Sequence, residues 1–478
     1  MAASRRRDLL TPVLCLLAVL AVVGGVATES AADPAVSRDT NPTRGARTQV
    51  LSARRVPGLL GRPVADRRLV AALQPAVAAL GGQSCVAVSG PAGRLFDHQA
   101  ATALVPASNA KLLTGFAALR ILGADTRFRT DVVGAAPDGV GTVAGDLWLV
   151  GGGDPLLSTA PFRARVKYGD RMAATPLEGI ADAVVAAGVR HVTGSVVGDE
   201  SRYDAQRAVP SWPGRYQAEG QIGSLSALAI NDGRDFAAID GQPSPGGPSA
   251  EPAVAAASAL AELLRQRGVA VDGGAGSGKA AGGAKPIASV DSPTVGEIVA
   301  EMLTYSDNTT AELLTKEIGV RAAGKGTTAA GLDAIVGELR KAGLATEGLT
   351  LLDGSGLDRG DRVSCATLDA LLDQSGAEGD LADGLPVAGT TGTLADRFRG
   401  SPAAGKVKAK TGSLRDVTSL SGWVTTDRGA DLSFSIVVNT ADRQVGVADL
   451  AATQRIAEAM LAYPDRPDPA LLGPEPGP

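Results

Sequence analysis

Histidine is nearly missing from this chain: among 478 residues only His98 and His191 occur. Hydrolysis by a histidine-activated serine or cysteine therefore has almost no material to work with, and no Gly-x-Ser-x-Gly elbow is present either. Cysteine is equally sparse, with Cys15, Cys85 and Cys365, and these with two distant histidines provide no ligand spacing for a metal. No metal and no cofactor is expected. The formal net charge of −5, without a dense Lys/Arg cluster in the body of the chain, leaves no electrostatic footprint for nucleic acid. The run Gly151-Gly152-Gly153-Asp154-Pro155 lacks the lysine and hydroxyl of a phosphate loop and reads as a tight turn after a strand. Lysine is scarce too. With ten in the chain, the placement of each one is informative.

The N-terminus is better supplied. Arg5-Arg6-Arg7 precedes an apolar stretch from about Leu9 to Val26, and small residues such as Ser30-Ala31-Ala32 follow. A basic start, an apolar run and a small-residue cleavage site over residues 1–32 read as an export signal, either cleaved or retained as an anchor, and as the one means of membrane association. Residues 33–64 read as a flexible spacer rich in Arg, Ser, Thr, Asp and Pro. The signal would carry Cys15 away. Cys85 and Cys365 then either pair in an oxidising compartment or stay as two buried free thiols.

Periodicity organises the rest. A helix is expected near Asp66 to Leu80, strands at Cys85–Gly90 and Gly93–His98, and an amphipathic helix from Ser108 to Leu122 closed by Gly123. Short β-rich runs broken by Gly and Pro follow to about Ala284, with one helix near Pro176 to Ala187, and Gly273 to Lys285 reads as a flexible seam. Helical patterning returns at Val295–Met302 and Thr309–Ile318, then three strand-like runs form an antiparallel meander before a helix at about Val445–Ala462 and a Pro-rich tail over 465–478. That order implies an α+β fold in which a β-rich region, 128–287, interrupts one domain built from 65–127 and 288–464, whose two parts share an antiparallel sheet.

Within this frame three short motifs stand out. Lys111 is the one lysine with a serine three positions earlier, Ser108. Ser306-Asp307-Asn308 is the one Ser-x-Asn, and Lys410-Thr411-Gly412 the one Lys-Thr-Gly. Alone, each has an ordinary reading, as a helix cap, a turn and a strand end. In that order, opening a helix, joining two helices and closing a strand, they resemble the three motifs of the penicillin-recognising serine enzymes. The nearly two hundred residues between Ser108 and Ser306 are similar to the D-alanyl-D-alanine carboxypeptidase/endopeptidase family of class C low-molecular-mass penicillin-binding proteins. Further stretches share that likeness: Leu147–Leu157, Val196–Asp204, Ser226–Arg234, Leu351–Ser364 and Leu385–Phe398.

The resemblance implies a penicillin-sensitive serine D-alanyl-D-alanine carboxypeptidase, or DD-endopeptidase, that acts outside the cytoplasm on peptidoglycan stem peptides, with β-lactam antibiotics as covalent inhibitors. Ser108 is implied as the nucleophile, Lys111 as its base and Ser306 as a proton relay. Asn308 would hydrogen-bond the substrate and hold Lys111. Lys410 would keep Lys111 partly neutral and, with Thr411, draw in the terminal carboxylate, while Gly412 leaves space for an extended peptide. The amides of Ser108 and Ser413 form the implied oxyanion hole, and Asp199 is implied to face the cleft and read an amine of the stem. The Gly389–Leu394 run echoes Lys-Thr-Gly without its lysine and reads as a glycine turn. A β-lactamase or esterase of the same fold, and a non-catalytic cell-wall scaffold, stay open as alternatives on the sequence.

Overall fold

The computed structural model describes residues 57–166, 173–239, 242–441 and 443–468. The export signal, most of the spacer and the end of the Pro-rich tail lie outside the described residues. The last part of the expected spacer is helical, because the first helix, α1, spans Pro57–Ala78. The chain then runs β1 (Gln83–Gly90), β2 (Gly93–His98), α2 (Ala110–Ile121), β3 (Arg127–Gly134), β4 (Leu147–Val150), α3 (Leu177–Ala186) and β5 (Val196–Asp199). It continues through α4 (Pro252–Gln266), β6 (Ala275–Ser277), β7 (Lys285–Thr294), α5 (Val295–Tyr305), α6 (Asn308–Ala323), α7 (Thr328–Lys341) and α8 (Cys365–Ser375). The last elements are β8 (Val407–Leu414), β9 (Val417–Thr425), β10 (Asp431–Asn439) and α9 (Val447–Ala459).

The first and last strands share one antiparallel sheet in the order β8-β9-β10-β1-β2, so chain segments more than three hundred residues apart lie side by side. Alternation along β1 explains how this sheet is covered on both faces. Cys85 and Ala87 face a core with Leu112 and Phe116 of α2, Met302 of α5, Leu314 of α6 and Leu368 of α8. Val86 and Val88 face the other way, onto Leu69 and Leu73 of α1 and Ile456 of α9. Every residue of β9 but its last is buried, as a central strand between two helical layers requires.

A second sheet, in the order β6-β5-β4-β3-β7, is mixed: β6, β5 and β4 run parallel, and β3 pairs antiparallel with β4 and β7. The region expected to be short β-rich runs thus also carries α4. Its buried stripe is Ala253, Ala256, Ala257, Leu260, Ala261 and Leu264, a helical period written mostly in alanine. The expected flexible seam is also corrected. Ala275–Ser277 pairs with Val196–Gly198, and the Gly273 and Gly278 amides donate to the Gly194 and Gly198 carbonyls, because backbone ladders need no side chains. Two further helices, α7 and α8, start at threonine and serine caps, Thr327 and Ser364, whose hydroxyls accept the amides of Ala330 and Thr367.

Cys85 and Cys365 are disulfide-bonded, so the free-thiol alternative falls. The bond ties β1 to the first residue of α8 across a sequence separation of 280. Closing so long a loop restricts the unfolded chain strongly. Replacing both cysteines by serine is expected to cost about 2–5 kcal/mol of stability, read as a lower urea midpoint than wild type, and mass spectrometry after alkylation should find no free thiol at 85 or 365 before reduction.

Candidate active site

The nucleophile position is shaped before the helix begins. Ala107–Asn109 forms a single 3₁₀ turn that runs directly into α2. Ser108 lies in this turn and Lys111 in the first turn of α2, three residues on and so on the same face. Lys111 Nζ lies 3.2 Å from Ser108 Oγ. Neither end of the turn carries a side-chain cap, so the Ser108 hydroxyl is not spent on the helix terminus. The turn is held from two sides. Ser419 of β9 donates to the Pro106 carbonyl at 2.7 Å and Asn109 Nδ2 donates to Ser421 Oγ at 2.7 Å. A side chain on Gly356 would overlap the Ala107 carbonyl from the opposite direction.

Lys111 is fully buried and makes two further contacts, to Asn308 Oδ1 at 2.6 Å and to the Ser355 carbonyl at 2.7 Å. Both partners can only accept. A neutral amine has two hydrogens and one lone pair, so giving its hydrogens to these two oxygens leaves the lone pair for the Ser108 hydroxyl. Burial lowers the Lys111 amine from an ordinary 10.5 to about 8, against the pull of Asp353, Glu312, Asp307 and Asp361. Lys410 is likewise buried and donates to the Thr411 carbonyl at 2.8 Å. Burial, and then the nearby charge of Lys111, hold it well below the usual lysine range. The two buried amines are electrostatically linked, and loss of solvent is the largest influence on each.

The second motif sits between two helices. Ser306 closes α5 in the left-handed conformation at φ 63°, and Asp307 caps α6 by accepting the Thr310 amide. Asn308 starts α6 with its oxygen on Lys111 and its Nδ2 donating to the Gln221 carbonyl at 2.7 Å. Gln221 belongs to the region between the first two motifs. On β8, Thr411 Oγ1 donates to Thr393 Oγ1 at 2.7 Å, so the Gly389–Leu394 turn supplies a hydroxyl partner to the third motif. The 3₁₀ turn there spans Gly392–Leu394. Ser413 is exposed on the strand and lines an open cleft of about 580 Å³ with Arg215, Tyr216, Leu357, Arg359 and Arg415.

Gly412 serves a different purpose from the one expected. A Cβ there would overlap Ser419 Oγ and lie 2.9 Å from the Pro106 oxygen and 3.1 Å from the Ser108 nitrogen. The space left by the missing side chain is thus occupied by the nucleophile's own turn. Asp199 lies apart from the three motifs. It is buried at the end of β5, where its oxygens accept the Ser201 and Ala280 amides, each at 2.8 Å. Burial acts to raise its pKa, but these amide bonds outweigh it and hold it below the ordinary range. It ties two loops together and makes no hydrogen bond or ion pair with the motif residues among the described residues. Sequence reading also missed Ser355, Glu312 and Asp353, although Leu351–Ser364 was one of the stretches that drew attention.

The chain is similar to known proteins in sequence and in fold. Residues 71–250 and 240–460 match the D-Ala-D-Ala carboxypeptidase 3 (S13) family. The chain is 33% identical to a D-alanyl-D-alanine carboxypeptidase of an Actinomadura species, over 77% of this chain and 79% of that one. The crystal structure of penicillin-binding protein 4 from Haemophilus influenzae aligns with a TM-score of 0.67 at 20% identity, covering 82% of this chain and 98% of that one. A penicillin G-acylated predatory endopeptidase from Bdellovibrio bacteriovorus aligns at 0.50 and 19% identity, over 81% and 94% of the two chains.

The fit around Gly412 yields a test. Gly412→Ala is expected to slow acylation by a β-lactam at least tenfold by displacing the Ser108 turn, with the fold retained by circular dichroism. Stopped-flow acylation of the variant against wild type reads the change.

Proposed function

The chain belongs to the D-Ala-D-Ala carboxypeptidase 3 (S13) family and is a serine D-Ala-D-Ala carboxypeptidase, and from that premise we propose that it trims peptidoglycan stem peptides through an acyl-enzyme on Ser108. The observation that carries this assignment is the Lys111 amine, poised between Ser108 Oγ and two oxygens that can only accept. Lys111 takes the Ser108 proton as the oxygen attacks the carbonyl of the penultimate D-alanine. The amides of Ser108 and Ser413 receive the developing oxyanion, each worth about 3 kcal/mol. Ser306 passes a proton to the departing D-alanine nitrogen, and Lys410 with Thr411 attracts the substrate's terminal carboxylate. Water then attacks the ester, regenerating Ser108 and releasing the shortened stem.

The cleft beside Ser413 is lined by Arg215, Arg359 and Arg415 and also by Glu219; Arg215 pairs with Glu219 and Arg359 with Asp416. We also read the enzyme as one that β-lactams acylate at Ser108, as the acylated endopeptidase of similar fold supports. It belongs outside the cytoplasm, a placement that its disulfide and the family's cell-wall substrate favour. We take two separated stretches as the catalytic domain, a division supported by the sheet that unites β1 and β2 with β8, β9 and β10; the expected boundary at 287 moves to 294, because β7 (Lys285–Thr294) pairs with β3 in the second sheet, so the insertion runs over 128–294 between parts 65–127 and 295–464.

Mass spectrometry of the protein treated with penicillin should find the adduct on Ser108 and lose it in Ser108→Ala. Lys111→Ala should retain the fold by circular dichroism and lower acylation by about 10²–10⁴-fold. Because the base must be neutral, the acylation rate should rise with pH through about 8, where burial places Lys111. A rate flat between pH 6 and 10 would count against Lys111 as the base.

A further inference from the structure

The Ser355 carbonyl that steers Lys111 belongs to a loop, Gly354-Ser355-Gly356, with no ladder or helix to fix it. Two successive peptide planes of this loop are instead stretched between buried groups. In the first plane the Ser355 amide donates to Glu312 Oε1 at 2.8 Å, while the Gly354 carbonyl on the opposite edge accepts from Thr114 Oγ1 at 2.7 Å. In the second, the Gly356 amide donates to Asp353 Oδ1 at 2.6 Å and the Ser355 carbonyl accepts from Lys111. Thr114 is one turn beyond Lys111 on α2, and Glu312 is one turn beyond Asn308 on α6. The helices that supply the base and its amide partner therefore also grip the loop.

We propose that Glu312 is a positioning residue for the D-Ala-D-Ala carboxypeptidase reaction: by holding the Gly354 and Ser355 amides it sets the Ser355 carbonyl where it takes one hydrogen of Lys111 and turns the lone pair toward Ser108. Glu312 Oε1 accepts both amides, at 2.9 and 2.8 Å. Its other oxygen, Oε2, is buried without a hydrogen-bond partner among the described residues. Burial and the nearby Asp353 push it up to about 8, so Glu312 gains its charge over the same pH range in which Lys111 loses its proton. The ionisable groups around Lys111 are Asp307 and Glu312 on α6, Asp353 and Asp361 on the loop after α7, and Lys410 on β8. Of the four acids, Glu312 and Asp353 both bind this loop, and Asp353 also accepts the Asp358 amide and Trp212 Nε1, so its removal would disturb far more.

The inference rests on Ser108 and Lys111 acting as nucleophile and base, and the test separates the two. Acylation by a fluorescent penicillin is followed from pH 6 to 10 in the wild type and in Ser108→Ala, Glu312→Gln, Glu312→Ala and Thr114→Val, with thermal melts for folding. Glu312→Ala should fall at least tenfold in acylation rate constant at every pH, with the non-covalent binding constant for the penicillin unchanged within twofold. Glu312→Gln keeps an acceptor for both amides and removes a charge that favours protonated Lys111. It should retain most of the rate, with the midpoint of the rising limb moved to lower pH. Thr114→Val frees the opposite edge of the same peptide and should also slow acylation severalfold. A folded Glu312→Ala within twofold of wild type with the same midpoint overturns the proposal. If that variant does not fold, an unmoved midpoint in Glu312→Gln together with a wild-type rate in Thr114→Val overturns it equally. An adduct persisting in Ser108→Ala would instead remove the underlying reading.

Discussion

A lysine amine with no exposed surface sets the terms for this structure. Taking an ammonium out of water is costly unless it is paired, and pairing it with a fully ionised carboxylate would leave it useless as a base. The protein meets both demands by burying the acids as well. Glu312 is pushed up to about 8 and Asp361 to about 10, each chiefly by burial and then by the charge of Asp353. Asp353 and Asp307 are also raised by loss of solvent. Amine and acids thus share few protons among several sites, and their titrations belong to the group rather than to single residues. Within such a set Lys111 can be neutral near physiological pH while remaining fully hydrogen-bonded through Asn308 and Ser355.

That balance needs a dry, fixed surround, and much of it comes from the region between the first two motifs. The Gln221 carbonyl holds the Asn308 amide, so the oxygen of Asn308 is left facing Lys111. Trp212 donates to Asp353, and Ser211 hydrogen-bonds Asp358 on the same loop. Farther along α6, Arg202 pairs with Glu317 and Asp204 with the buried Lys316, while Tyr203 donates to Glu317 at 3.0 Å. These contacts pin both acceptors of the base from outside the sheet that carries β8. The region between the first two motifs thus supplies partners to Asn308 and to the 353–358 loop through Gln221, Trp212 and Ser211.

What could be read in the sequence was whatever side chains announce. The three motifs, the presence of α2 and the final meander were legible because hydroxyl, amine and apolar residues have distinct signatures, although α2 is buried all round from Ala110 to Ala118 and not amphipathic as expected. The Ser355 carbonyl was not, since every residue has one and only folding selects which oxygen meets Lys111. Glu312 reads as one more polar residue of an ordinary helix until its burial is known. Gly412 was visible as a motif residue but its reason was misread: the motif tells that a side chain is forbidden, not which neighbour forbids it. The helix α4 has a helical period from Ala253 to Leu264 but lies within a long run of Gly- and Pro-broken segments that reads as β-rich, and the amides that Asp199 accepts cannot be read from the sequence.

Backbone strain completes the account of why the motifs sit where they do. Ala107 at φ 48° and Ser306 at φ 63° both occupy the left-handed region, which costs an L-residue about 1–2 kcal/mol. One lies immediately before the nucleophile and the other is the serine of the second motif. At Ala107 the reversal turns the chain so that the Pro106 carbonyl reaches Ser419 while Ser108 enters the 3₁₀ turn above Lys111. At Ser306 it ends α5 and lets Asp307 cap α6 one residue later, placing Asn308 in the first turn beside the base. A relaxed residue at either position would lengthen the turn and carry the following side chain away from Lys111. Close neighbours hold these conformations in place: Gly356 and Gly412 around the first, the Met302 carbonyl accepting the Ser306 and Asp307 amides at the second. The strain is stored where a small relaxation would separate serine, lysine and asparagine, and the packing that resists it is the same packing that keeps the site dry.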